Sequence, residues 1–102
     1  MVENPRREDF ERCLREKFRV AAETPEPIEL ELVEVVVPPI DVPGYERFSL
    51  FFRGPARYKI EQQTVPLEHE TLGRQDLFLV PVAQEPEGFR YEAVFNRPSA
   101  DR

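Results

Sequence analysis

One histidine and one cysteine are the residues of this sequence best suited to acid–base, nucleophilic or metal chemistry. A nucleophile needs a base and an orienting group beside it, and zinc needs several nitrogen or sulfur ligands at set spacings. Cys13 and His69 lie far apart in the chain, and no calcium loop of the EF-hand type is present. We therefore predict no catalytic set, no metal site and no cofactor. Calcium held by carboxylates alone is the one alternative left open.

Each of these two side chains has a structural interpretation that we favour. His69 follows Val65 and Leu67 at alternate positions, which places it on a strand face at or near the core, hydrogen-bonded locally. The functional alternative is a general base beside a neighbouring glutamate. Cys13 falls on the apolar stripe of a helix, where a buried cysteine acts as a small hydrophobe.

One short loop is locally basic and is the best candidate for binding an anion. It spans residues 53–59 and contains Arg53, Arg57 and Tyr58. It lacks the glycine pattern that directs several backbone N–H groups at a phosphate. Together with His69, these three residues are the predicted ligand or anion contacts.

The composition limits the partners of the chain. With 14 basic and 20 acidic residues the net charge is −6, which argues against nucleic acid, whose phosphates must be neutralised by Lys and Arg. A single cysteine rules out an internal disulfide. The N-terminus lacks an apolar signal segment, and the longest apolar run, 77–83, is too short to cross a bilayer. We expect a cytoplasmic protein with no nucleic-acid partner and no membrane insertion.

The N-terminal residues 4–17 predict a helix. Asn4 and Pro5 suit its first turn, and an apolar stripe at helical spacing would lie on the core. The stripe consists of Phe10, Cys13, Leu14 and Phe18. We expect a single domain over residues 1–102, in which this helix is followed by a β-domain at 18–96 and a loose tail at 97–102.

Period-two alternation of apolar residues predicts six short strands joined by proline-containing turns. Along the second strand the alternation changes phase between Leu32 and Val33, which indicates either a bulge or burial on both faces. Pro66 removes one ladder donor from the fourth strand, Gln63–His69, and so predicts an edge strand. The fold class that follows is mainly β: a small six-stranded antiparallel barrel or rolled sheet with one short N-terminal helix packed on it.

Several strands carry apolar residues on both faces, which is more than a two-layer domain needs. The surplus residues must be covered by loops, for which Ile40 and Val42 are candidates, be covered by another chain, or be left as an interaction patch. The predicted interface residues are Val35, Val37, Phe51, Phe78 and Val80.

Four segments of the second half of the chain resemble a known family. They are 48–55 (FSLFFRGP), 67–73 (LEHETLG), 77–82 (LFLVPV) and 90–96 (RYEAVFN). The chain is similar to an uncharacterised bacterial family of small β-domains of unknown function. The resemblance implies a compact β-domain made by bacteria and associated with phage-tail-like or surface-assembly gene sets, and it transfers no catalytic residues.

Two functions of different classes remain open. The surplus apolar face favours a non-enzymatic protein–protein interaction or assembly module of a bacterium, with another protein or a second copy as its partner. The alternative is a small-ligand-binding β-barrel or minor enzyme that uses the barrel mouth. In that case Arg53, Tyr58 and His69 would supply the polar contacts.

Overall fold

The structure is a computed structural model and describes residues 4–98. Its elements are α1 (Arg7–Glu11), β1 (Lys17–Val20), β2 (Glu29–Val36), β3 (Tyr45–Gly54), β4 (Gln63–His69), β5 (Gly73–Glu85) and β6 (Gly88–Pro98). Neighbouring strands are antiparallel in the order β1-β2-β3-β6-β5-β4, and β4 pairs again with β1, so that the sheet closes into a ring. The predicted fold class, mainly β with six antiparallel strands and one short helix, is confirmed.

Alternation along the strands fills the inside of the ring with apolar side chains. Phe18 of β1 meets Phe52 of β3 edge to face, with ring centroids 5.3 Å apart. Burying one such side chain stabilises the fold by about 1.5–3 kcal/mol. The fully buried residues contributed by the strands include Phe18, Leu30, Leu32, Leu50, Phe52, Leu67, Leu79 and Tyr91.

The change of phase in β2 is a β-bulge. The pairing of β2 with β3 shifts between Leu32 and Glu34, so Val33 is the extra residue. Beyond the bulge Val35 pairs with Leu50 and packs against the core, whereas Val36 lies on the outer face. The structure therefore corrects the prediction for Val35: the extra residue turns its side chain inward, because one inserted position reverses the faces of a strand.

The helix is shorter than the predicted 4–17. Asp9 accepts a hydrogen bond from the backbone N–H of Arg6 at 2.8 Å, which fixes the start of α1. The backbone has positive φ at Asn4 (53°) and at Arg15 (74°), a conformation that cannot belong to a right-handed helix. The N–H of Arg15 donates instead to the carbonyl of Leu32 at 2.7 Å, so pairing with β2 replaces the last predicted turns.

The tail predicted at 97–102 is wrong for residues 97 and 98, and residues 99–102 lie outside the described part of the chain. Strand β6 continues to Pro98, which pairs with Tyr45 of β3. The guanidinium of Arg97 bonds Glu46 at 2.9 Å and donates to the carbonyl of Pro5. Strand pairing and these two contacts tie the end of β6 to the N-terminal segment.

Strand β4 has the predicted bounds but is not an edge strand. It pairs with β5 along its whole length, from Gln63 to His69, and with β1 through Glu68 and Leu67. The carbonyl of Pro66 accepts a hydrogen bond from Ala21 at 2.8 Å. Since Pro66 has no N–H to return, the ladder between β1 and β4 ends at this residue.

Candidate functional site

The structure separates the four residues predicted to contact a ligand. Arg53 and Arg57 line one open groove of about 600 Å³ on the outside of the ring, and Tyr58 lines a different cavity of about 140 Å³. His69 is buried with its ring between other groups of the core. The groove around the two arginines is lined by Lys17, Pro27, Glu29, Glu31, Arg53, Gly54, Pro55, Arg57 and Glu87.

Both arginines of this groove are already paired with carboxylates of the same chain. Arg53 lies 3.5 Å from Glu31, and Nε of Arg57 donates to Glu26 at 2.7 Å. That hydrogen bond lowers the pKa of Glu26 and raises the pKa of Arg57. An anion entering the groove would have to displace these carboxylates, which weakens the interpretation of the loop as an anion site.

The predicted barrel mouth is closed by the segment after β3. Ile60 is buried, and its backbone N–H donates to the hydroxyl oxygen of Tyr91 at 2.8 Å inside the ring. Burial is also the main cause that raises the pKa of Tyr91. The mouth therefore does not bring Arg53, Tyr58 and His69 together as the ligand-binding alternative requires.

Folding does bring the single cysteine and the single histidine close to each other. A glutamate that the sequence analysis did not single out lies beside them. One ligand atom each of Cys13, Glu16 and His69 lies within 4.8 Å of the others. Separation in sequence was thus a poor guide to distance in space. The three residues need testing as a metal site or as a catalytic set.

The hydrogen bonds of His69 argue against both roles. Its Nδ1 accepts from the backbone N–H groups of Thr71 at 3.0 Å and Leu72 at 3.2 Å, so the ring proton resides on Nε2, which lies 2.7 Å from Glu16. A metal would need a lone pair on Nε2. Moving the proton to Nδ1 would set it against two N–H donors.

Cys13 is equally unsuited to either role. Burial, followed by the charge of Glu16, raises the pKa of the Cys13 thiol from 9.0 to about 11, whereas the thiolate is the nucleophile and the metal ligand. The thiol donates to the carbonyl of Asp9 at 3.4 Å. The cluster is therefore a hydrogen-bonded structural unit that joins the N-terminal turn to the end of β4.

The outer face of the ring has a charged part in which ion pairs are made within the chain. On the strands β1 to β4, Arg19 pairs with Glu68 across β1 and β4, and Glu31 lies within 3.6 Å of Arg15 and 3.5 Å of Arg53. Surface pairs of this kind each contribute only about 0–1 kcal/mol. They do, however, leave these charges with partners already in place.

A second part of the outer face is apolar, and we call it the outer apolar patch. Val94 of β6 is 67% exposed, Phe78 of β5 is 51% exposed and Val36 of β2 is 38% exposed. Phe51 is partly covered by the guanidinium of Arg90, 4.6 Å from its ring centroid. The patch consists of Val36, Phe51, Phe78, Val80 and Val94.

Three of the five predicted interface residues, Phe51, Phe78 and Val80, thus lie in this patch. Val37 follows the end of β2 and is 47% exposed. The loop that could have covered the surplus apolar face does not do so, because Ile40 is 72% exposed and Val42 36% exposed. The sequence did contain a signal for the missed Val94: it is the apolar residue at an outward position of β6.

Almost the whole chain matches a known protein family. Residues 5–95 of the 102 match the profile of a family described as a domain of unknown function, DUF6916. The chain belongs to the DUF6916 family. This confirms the resemblance to a family of small domains of unknown function that the sequence predicted. No curated protein and no solved structure matches this DUF6916 chain.

The described part of this DUF6916 domain, residues 4–98, contains no helix that is both long enough and apolar enough to span a bilayer.

Proposed function

We propose that this DUF6916 domain is a non-enzymatic protein–protein interaction or assembly module. The observation that carries the proposal is the outer apolar patch, in which Val94, Phe78 and Val36 stay exposed within the described residues 4–98. An exposed apolar surface on a folded domain often marks a site for another protein, because association removes it from water. We propose the cytoplasm of a bacterium as its setting, in a phage-tail-like or surface assembly, with no nucleic acid involved.

The positions of the chemistry-bearing residues support a binding role over catalysis. His69 and Cys13 are used in structural hydrogen bonds, and the inside of the ring is filled with side chains. A small charged ligand in the groove around Arg53 and Arg57 is the second candidate. It is less favoured because both guanidiniums already have carboxylate partners.

The proposal can be tested by comparing variants of the patch with a matched surface variant. Val94→Ser and Phe78→Ser remove exposed apolar side chains inside the patch, and Ile40→Ser removes one outside it. Tagged chains would be used to capture partners from the native host, and melting temperatures would check folding.

We expect the native chain and Ile40→Ser to retain the same partner, and the two patch variants to lose it while staying folded. Equal capture by all four proteins would contradict the proposal.

A further inference from the structure

We propose that the outer apolar patch binds a second copy of this chain through a two-fold interface in which Glu92 of each copy meets Arg47 of the other. The inference rests on the proposed function and names the partner of that surface. It is carried by the arrangement of β3 and β6, whose ten paired positions form the longest ladder of the ring.

Three adjacent pairs of outward residues define the centre of this surface. Ser49 pairs with Val94; Phe51 pairs with Glu92 on one side of that pair, and Arg47 pairs with Asn96 on the other. Glu92 and Arg47 therefore occupy diagonally opposite corners around the central pair of Ser49 and Val94. A two-fold axis that lies in the plane of contact and crosses the middle of that diagonal at a right angle brings the Glu92 carboxylate of each copy opposite the Arg47 guanidinium of the other.

The charges at these two corners lack the partners that neighbouring charges have. Glu34 is paired with Arg90, whose guanidinium also lies over Phe51, but within residues 4–98 neither Glu92 nor Arg47 makes an ion pair. Among these described residues, the guanidinium of Arg47 donates only to the carbonyl of Ile40, at 3.2 Å.

In an isologous contact the same surface is used by both copies. Such a contact would pair Glu92 of each copy with Arg47 of the other, and it would bury Val94 and its neighbours in both copies. Charge pairs at an interface mainly fix orientation and exclude wrong partners, and the apolar side chains supply most of the driving force. A second copy satisfies the charge pattern and the apolar pattern together.

Absolute mass measured by light scattering on a sizing column, over a range of protein concentrations, tests the inference. The native chain should rise from 12.0 kDa towards twice that mass. Glu92→Arg and Arg47→Glu should each weaken association at least about tenfold, because like charges then face each other. The double variant, which restores opposite charges, should recover most of the native association.

Near-UV circular dichroism would establish that each variant is folded, and Val94→Ser gives a second test that does not depend on charge. A native chain that stays monomeric at every concentration, or a double variant no better than the single ones, would overturn the self-pairing. If the chain is monomeric but Val94→Ser still loses a captured protein, the proposed function stands and only the second copy is excluded. If patch variants change neither mass nor capture, both proposals fail.

Discussion

At the scale of single residues, the tautomer of His69 decides whether its cluster can do chemistry. We expect nitrogen-15 spectra of the ring to show the proton on Nε2, because Nδ1 accepts from two backbone N–H groups. Zinc should then leave the melting temperature unchanged, in the native chain and in Glu16→Gln alike. A proton on Nδ1, together with stabilisation by zinc that Glu16→Gln removes, would show a metal site instead.

The buried thiol predicts how stability depends on alkaline pH. The pKa of Cys13 is raised to about 11 when folded, so the folded state holds a proton that the unfolded chain releases near its ordinary value. Its contribution is fully present below pH 9 and is lost as the pH rises towards 11. Since one pKa unit corresponds to about 1.4 kcal/mol, the full loss over a shift of two units is about 3 kcal/mol.

Urea titrations of the native chain and of Cys13→Ala at several pH values from 8 to 11 would measure this loss. The variant cannot titrate at this position, so its free energy of unfolding should fall less steeply over that range. If the free energy of unfolding falls equally with pH in the two proteins, burial does not raise the pKa of the Cys13 thiol.

At the scale of elements, the corner where β3 meets the β5–β6 hairpin requires glycine. Gly88 has φ +148°, and a Cβ placed there would lie 1.8 Å from the carbonyl oxygen of Gly54. Gly88→Ala should therefore cost more than about 3 kcal/mol of stability. Gly44→Ala is the control: its φ is +85° with nothing within 4 Å, so about 1 kcal/mol is expected. Equal losses in thermal unfolding would refute the close approach.

The closure of the barrel mouth by the segment after β3 depends on one hydroxyl. Tyr91→Phe would leave the buried N–H of Ile60 without its acceptor, at a cost of about 1–3 kcal/mol. Amide exchange at Ile60 should become faster, whereas Tyr45→Phe, which changes a half-exposed ring, should have no effect there. Unchanged exchange in Tyr91→Phe would show that the segment is held by packing alone.

The elements that the sequence predicted well are those in which alternation is unbroken. The alternation of apolar residues and the turn after β4 predicted both ends of this strand correctly, because successive side chains of an unbroken strand point to opposite faces. In β2 the change of phase indicated a bulge or double burial, and only pairing with β3 decided for the bulge at Val33. The N-terminal apolar stripe predicted a helix that was too long. Helical spacing alone does not reveal that the backbone N–H of Arg15 donates to the carbonyl of Leu32 in β2.

The candidate surface was predictable in part for the same reason. Phe51, Phe78 and Val80 were identified from apolar residues in the outward phase, but Val35 was misplaced since the bulge reverses faces. The proximity of Cys13 to His69 was not predictable, because ring closure between β1 and β4 brings distant residues together. Charge pairs such as Arg90 with Glu34 likewise depend on strand order and not on spacing.

At the scale of the whole molecule, the outer face of the described residues has a part where charges are paired within the chain and a part where exposed apolar residues lie beside the unpaired charges of Glu92 and Arg47. The interior of the ring accounts for the fold, whereas the outer apolar patch makes no contribution to the core. This division is the basis for the proposed role of the mainly β ring in association.

A dilution series of nitrogen–proton correlation spectra tests the central claim, that the outer apolar patch binds a second copy of this chain, most directly. We predict that the amide signals of Ser49, Glu92 and Val94 move with protein concentration up to the millimolar range. Those of Lys17 and Arg57 in the charged groove should stay fixed. Spectra that do not change with concentration, or changes confined to the groove, would contradict the account.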